Sequence, residues 1–149
     1  MPAKIEQFGV ALNSLETLRE QQPQWRITVI TKLEMVSFVD NRLDVDILPY
    51  SNDDLNFLGL PKKQLKSHFA NMSYDLALDL TFNIDLLCIT LFQLSKAPLK
   101  VCFFSANKNP FYNFTIRINP VESLLNKYST MIKYISIATN RETLETPVN

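Results

Sequence analysis

The first part of the chain carries apolar residues at intervals of three and four positions, the spacing of one face of an α-helix. The series is Ile5, Phe8, Leu12, Leu15 and Leu18, and mostly polar side chains lie between its members. This pattern predicts an amphipathic helix that ends before Pro23, because the residue before a proline is disfavoured in helical conformation.

Beyond this helix, short β-branched and apolar runs alternate with further helical patterns. The runs predict strands at 26–31, 45–48, 74–80, 99–104 and 111–118. Helices are expected at 33–39, from Pro61, at 84–95 with Asn83 as N-cap, and after the signature Asn119, Pro120 and Glu122. This alternation predicts a single three-layer α/β/α domain, Rossmann-like, with a mostly parallel sheet. We assign the domain to residues 1–139 and a polar tail to residues 140–149.

One predicted helix differs from the others in its apolar content. Residues 84–95 are apolar nearly all round, so that helix must lie inside the core or beneath a partner. The two cysteines, Cys88 and Cys102, also lie in apolar runs and are expected to be buried, reduced thiols.

Composition removes several classes of function. The chain has 149 residues with 15 basic and 15 acidic side chains, so it lacks the basic field that nucleic-acid binding needs. It has only two glycines, fifty positions apart, which excludes the glycine-rich loops that bind phosphate groups. One histidine and two cysteines in no ligand spacing give no metal site. We therefore expect no cofactor and no metal.

The chain also shows no pattern of targeting or membrane insertion. Its longest apolar-rich run, residues 84–94, is too short to span a bilayer, and its first 22 residues have no continuous apolar stretch. These observations predict a cytoplasmic protein with no membrane-spanning segment, although a complex that contains it can sit peripherally on the cytoplasmic face of a membrane.

The order of the motifs resembles the N-terminal half of ADP-heptose:lipopolysaccharide heptosyltransferase-type glycosyltransferases. A helix ending in LETLREQQPQWR runs into RITVIT, and SYDLALDLTFN precedes an apolar helix and LSKAPLKVCFF. The similarity covers about residues 5–104. In that family two Rossmann-like halves enclose a cleft, so the resemblance implies a half-domain of this kind.

The chain departs from that family where the family does its chemistry. The Gly-Asp turn that carries the family's proposed base falls on Glu6 and Gln7, or on Phe8 and Gly9 in a shifted alignment. Lys96 stands where the family has glycine. The family's first strand has no counterpart, and neither has its nucleotide-sugar half. In the doubly wound order that strand is central, so either its neighbours close up or another segment or chain supplies the edge.

Candidate sites follow from what remains. Five aromatic residues surround one turn and are either alternating core residues or a rim that contacts a partner: Phe103, Phe104, Phe111, Tyr112 and Phe114. A small basic cluster on one helix is a solvated face or a docking patch: Lys62, Lys63 and Lys66. Asp75 and Asp79 share a strand face, where a paired-carboxylate catalyst is the alternative to a capping role. His68 has no partner for a catalytic dyad.

These observations favour a non-catalytic structural or protein-interaction subunit of a hetero-complex, built on a degenerate half-domain, with no catalytic residue and no bound small molecule. Such a domain also resembles accessory subunits of the photosynthetic reaction-centre assembly of green sulfur bacteria. The alternative is an enzyme part, the acceptor-binding half of a split or truncated glycosyltransferase. A small-molecule-binding regulatory domain is the third hypothesis.

Overall fold

The computed structural model describes the backbone of residues 1–142 and the side chains of residues 1–139. Its helices are α1 (Ile5–Gln21), α2 (Lys63–Ala70), α3 (Leu86–Leu94) and α4 (Leu124–Glu142). Its strands are β1 (Thr28–Lys32), β2 (Asp46–Tyr50), β3 (Leu76–Asp79), β4 (Leu99–Phe103) and β5 (Phe114–Ile116). Short 3-10 turns lie at Leu33–Phe38, Asn41–Leu43, Asn52–Asp54 and Asn109–Phe111. The predicted α/β, Rossmann-like fold is confirmed.

All the strand pairs are parallel, but the five strands form two sheets. β1 pairs with β2, and β3, β4 and β5 pair in that order. A cavity of about 550 Å³ is lined by residues of both β1 and β3 and so lies between the two sheets. With this gap counted as a strand position, the order β2-β1-gap-β3-β4-β5 is the doubly wound order without its central first strand. The neighbours of the missing strand have therefore not closed up.

Helices cover the strands from two sides, as the prediction of three layers requires. α1 and α4 pack on one core cluster, which also holds Met35, Val39 and Leu43 from the connection between β1 and β2. α2 and α3 contribute to a second cluster, where Leu65 and Phe69 meet Leu91 and Phe92. Most of α3 is buried there, so the core accounts for most of its apolar surface.

Several element boundaries differ from the predictions for local reasons. Pro49 lies inside β2 rather than closing it, because β2 pairs only with β1 and an edge strand tolerates a missing N–H. Asn83 does not cap α3. The side chain of Asp85 does, accepting hydrogen bonds from the backbone N–H groups of Leu87 and Cys88 at 2.9 and 3.2 Å.

The C-terminal third also differs in its boundaries. The strand expected at 111–118 is confined to β5, because residues 109–111 form a 3-10 turn. The Asn119 side chain caps only a turn, by accepting from Val121 N–H, and α4 starts at Leu124. α4 then continues through Glu142, three residues into the predicted polar tail, and residues 143–149 lie outside the described residues.

Candidate functional site

The most polar part of the interior surrounds Asp79, the last residue of β3. Its Oδ1 accepts hydrogen bonds from the backbone N–H and the hydroxyl of Thr81, at 2.8 and 2.7 Å. Its Oδ2 accepts from Lys108 Nζ at 2.8 Å and from the Tyr112 hydroxyl at 2.7 Å. The carboxylate thus has four donors, which matches its approximately four acceptor positions.

Lys108 reaches Asp79 from the loop between β4 and β5. Its Nζ donates to Asp79 and also to the Thr81 carbonyl and hydroxyl oxygens, at 2.5 and 3.0 Å. Three acceptors match the three protons of an ammonium group. The side chains of Lys108 and Asp79 are both 0% exposed. The ion pair is therefore fully buried and has a complete set of hydrogen bonds.

Two tyrosines border this polar cluster. Burial, reinforced by the negative charge of Asp79, raises the pKa of Tyr112 and also that of Tyr128, whose hydroxyl donates to the Leu80 carbonyl at 2.9 Å. Both tyrosines are protonated donors at neutral pH. An acid–base catalyst must reach its substrate within hydrogen-bond distance. Asp79 and Lys108 expose no side-chain surface, and their hydrogen bonds join the end of β3 to the loop between β4 and β5.

The two aspartates that the sequence placed on one strand face differ in burial. Asp75 lies just before β3 and is exposed, whereas Asp79 is 1% exposed. The paired-carboxylate catalyst is therefore not assembled. Asp79 has the predicted capping role, since it binds the first turn of the chain after β3 through Thr81.

The aromatic residues of the predicted rim fall into two groups. Phe103 and Tyr112 are buried in the core, so neither can contact a partner in this conformation. Phe114 is half-buried, and Phe104 and Phe111 are each 38% exposed. The Arg117 guanidinium lies over the Phe104 ring at 4.2 Å from its centroid, a cation–π distance. Phe104 and Phe111 remain as the exposed members of the rim.

The basic residues of the predicted docking patch lie at the start of α2. Lys62 is its N-cap residue, and Lys62, Lys63 and Lys66 are exposed. Lys62 Nζ donates to the Asp53 carbonyl at 2.8 Å, so this ammonium also ties α2 to the preceding turn. His68, on the same helix, is exposed as well.

Sequence reasoning missed an apolar surface at the carboxyl ends of the strands. Exposed large apolar residues follow each strand in turn: Leu33 after β1, Phe57 and Leu58 after β2, Ile84 and Leu86 after β3, Phe104 after β4, and Val121 after β5. We call this set of exposed residues in the connections after the strands the apolar edge. The sequence does show an apolar residue in each of these connections, but it does not show that these residues are exposed.

Lys108 was the other residue that sequence reasoning missed. It lies 29 positions from Asp79, so no local spacing connects the two. In the described part of the chain, no group of three or more His, Cys, Asp or Glu residues is placed to hold a metal ion. Within the same residues, no helix combines the length and apolar character needed to cross a bilayer.

The chain was compared with known proteins in three ways. The comparison with curated proteins and the comparison with solved structures found no match. One family model, described as "Family of unknown function (DUF6913)", matches residues 6–137, which include all five strands and most of the four helices. Since this match covers well over half of its length, the chain belongs to the DUF6913 family.

Proposed function

We propose that the protein is a non-catalytic interaction subunit that binds a protein partner through the apolar edge. The observation that supports this most is the repetition of exposed apolar residues after every strand. In α/β folds ligands bind at the carboxyl ends of the strands, and a large contiguous patch of exposed apolar residues marks an interaction site.

The loop after β2 presents the most exposed of these residues. Phe57 is 95% exposed, and the backbone around it is hydrogen-bonded to the Asn56 side chain. The Asn56 side chain accepts hydrogen bonds from the N–H groups of Leu58 and Leu60, both at 3.0 Å. Gly59 provides the positive φ that the loop requires. A rigid loop loses little conformational entropy on binding, so this geometry favours Phe57 as an anchor for a partner.

The buried cluster supports the non-catalytic half of the proposal. The acidic side chain at the carboxyl end of β3 is Asp79, and it is saturated by Thr81, Lys108 and Tyr112. The carboxylate at the end of β3 is therefore not available as an acid or base for a substrate. The glycosyltransferase resemblance and the association with a photosynthetic assembly both stay predictions.

The proposal can be tested with tagged protein in the cells that express it. Wild type is compared with Phe57→Glu/Ile84→Glu, which adds charge to the apolar edge. The matched control is Tyr134→Glu/Ile137→Glu, which alters exposed apolar residues of α4 instead. We expect wild type and control to elute in a complex with the same co-purified protein, and the edge variant to elute as a free monomer of 17.2 kDa.

Folding of each variant is checked by circular dichroism before elution is compared. A wild-type protein that is free and monomeric in the native lysate would contradict the proposal. So would an edge variant that keeps the same co-purified protein as wild type.

A further inference from the structure

The connection after β2 contains a tight turn whose corner is apolar. Gly59 N–H donates to the Asn56 carbonyl at 2.9 Å, which is the hydrogen bond that closes a four-residue β-turn. The two corner residues of this turn are Phe57 and Leu58, and both are exposed. Corner positions of β-turns are usually taken by Gly, Pro, Asn, Asp or Ser. The needs of the turn therefore do not explain two large apolar residues at its corner.

The base of this turn is packed on the core, and only its corner projects into solvent. Leu55 and Pro61 form an antiparallel bridge on either side of the turn. Leu55 packs against the core cluster to which α2 and α3 contribute, and Pro61 is fully buried. An apolar side chain held on such a base loses little conformational entropy when it enters a pocket of another protein.

Three lysines follow the turn directly, at the start of α2. Lys62, Lys63 and Lys66 are exposed. Leu65 and Phe69 take the buried face of this helix, so the lysines lie on its outer side. Among the described residues, none of the three lysines forms an ion pair with a carboxylate. Their charges are therefore available to a group outside the chain.

The stability of α2 does not account for the position of these lysines. The N-terminus of a helix carries the positive end of the helix dipole, which favours a carboxylate and disfavours a cation. The first turn of α2 has no acidic residue, and Lys62 and Lys63 stand at its start instead. A negatively charged group on a partner would reverse this unfavourable interaction.

The acidic residues of the same segment leave it with a positive charge. Asp54 is bound within its own turn, where its Oδ2 accepts from the Ser51 N–H and hydroxyl at 2.7 and 3.0 Å. Asp53 is exposed. With His68 neutral, residues 51–70 contain three lysines against two aspartates. The surface formed by the turn and the start of α2 is thus apolar at the corner and basic beside it.

The exposed carboxylates of the neighbouring connections favour a protein over a membrane as the partner of this surface. Glu34 and Asp53 are exposed in the connections after β1 and β2. An anionic bilayer attracts lysines but repels carboxylates over the whole area of contact. A protein surface can place acidic groups opposite the lysines and basic groups opposite the carboxylates.

We propose that the partner of the apolar edge is a protein with an apolar pocket for Phe57 and Leu58, and that carboxylates beside this pocket pair with Lys63 and Lys66. This inference rests on the proposed function and adds the chemistry of the partner to it. The apolar corner provides the buried contact, and the lysines fix the orientation of the partner and exclude a basic surface.

The first test is carbodiimide cross-linking of the complex that co-purifies with the tagged full chain. This reagent joins a lysine amine directly to a carboxylate that contacts it, so mass spectrometry of the linked peptides identifies both groups. We expect links from Lys63 or Lys66 to Asp or Glu residues of the co-purified protein. Lys133 is exposed on α4 and serves as the internal control, which should give no such link.

The second test is reversal of one charge. Lys63→Glu puts a carboxylate opposite the carboxylates of the partner, so we expect the amount of co-eluting partner to fall roughly tenfold at low salt. A carboxylate in the first turn of α2 interacts favourably with the helix dipole, so urea titration should show a stability equal to or above that of wild type. The matched control Lys133→Glu should leave the amount of partner unchanged.

Four results would overturn the inference. One is a complex in which neither Lys63 nor Lys66 is linked to the partner, and another is a complex that Lys63→Glu does not weaken. A third is a set of links that join two copies of this chain. The fourth is sedimentation of wild type, but not of Lys63→Glu, with phosphatidylserine vesicles, because the lysines would then bind lipid headgroups. The first two leave the complex itself intact, so they contradict this inference and not the proposed function.

Discussion

At the scale of single residues, the buried pair of Asp79 and Lys108 is the strongest constraint in the interior. Burying two charges costs several kcal/mol per ion, and the mutual attraction offsets this only with good geometry and complete hydrogen bonding. Both conditions hold, since each ion has all its hydrogen-bonding positions occupied. The pair therefore ties the end of β3 to the loop between β4 and β5.

Removing one member of the pair should be costly. Lys108→Met leaves the Asp79 charge buried without its cation, and we expect a loss of about 3–5 kcal/mol in the free energy of unfolding, measured by urea titration. The double variant Asp79→Asn/Lys108→Met should recover part of this loss. As a control, Arg26→Met breaks the exposed pair with Asp46 and should cost less than about 1 kcal/mol. Equal losses at the buried and exposed pairs would refute this account.

Lys96 affects stability through its backbone conformation more than through its side chain. It follows the end of α3 with φ of 54°, in the left-handed region that favours glycine.

Lys96→Gly should therefore stabilise the protein. Relief of the left-handed strain outweighs the added freedom of the unfolded chain, so we expect a gain of up to about 1 kcal/mol in unfolding free energy. Lys133→Gly makes the same exchange at an exposed helical position of α4, where glycine should cost about 1 kcal/mol. Thermal or urea unfolding of both variants gives the comparison, and a loss at Lys96 would show that the backbone there is unstrained.

At the scale of elements, the ends of helices were harder to predict than their existence. Asn83 and Asp85 are both good N-cap residue types, so the sequence allows either. The structure selects Asp85, because its side chain accepts from the backbone N–H groups of Leu87 and Cys88 at the start of α3. Which of two good cap residues is used therefore depends on where the helix begins in the folded chain.

The two candidate caps can be separated by substitution. Asp85→Ala removes the acceptor of two backbone N–H groups and should reduce unfolding free energy by about 1 kcal/mol. Asn83→Ala removes a side chain that makes no hydrogen bond among the described residues, and it should change stability by less than about 0.5 kcal/mol. Urea titration distinguishes the two, and the reverse ranking would place the helix start two residues earlier.

At the scale of the whole molecule, the chain has a doubly wound layout with an open position at its centre. β1 and β2 lie on one side of the gap, and β3, β4 and β5 lie on the other.

The sequence by itself determined the fold class, because hydrophobic periodicity depends only on which face of each element is buried. The spacing of Ile5, Phe8, Leu12, Leu15 and Leu18 likewise predicted a helix, and the structure has α1 there.

Only the tertiary structure decided which charged and aromatic residues are accessible. Lys108 is buried although lysines rarely are, because Asp79 and Thr81 meet it from 29 and 27 positions away. Phe103 is buried and Phe57 is exposed although both are phenylalanines, because packing between distant elements sets burial. The local sequence determines the hydrophobic periodicity of a helix or strand. The residues that a side chain contacts are determined by the tertiary structure, because they lie far away along the chain.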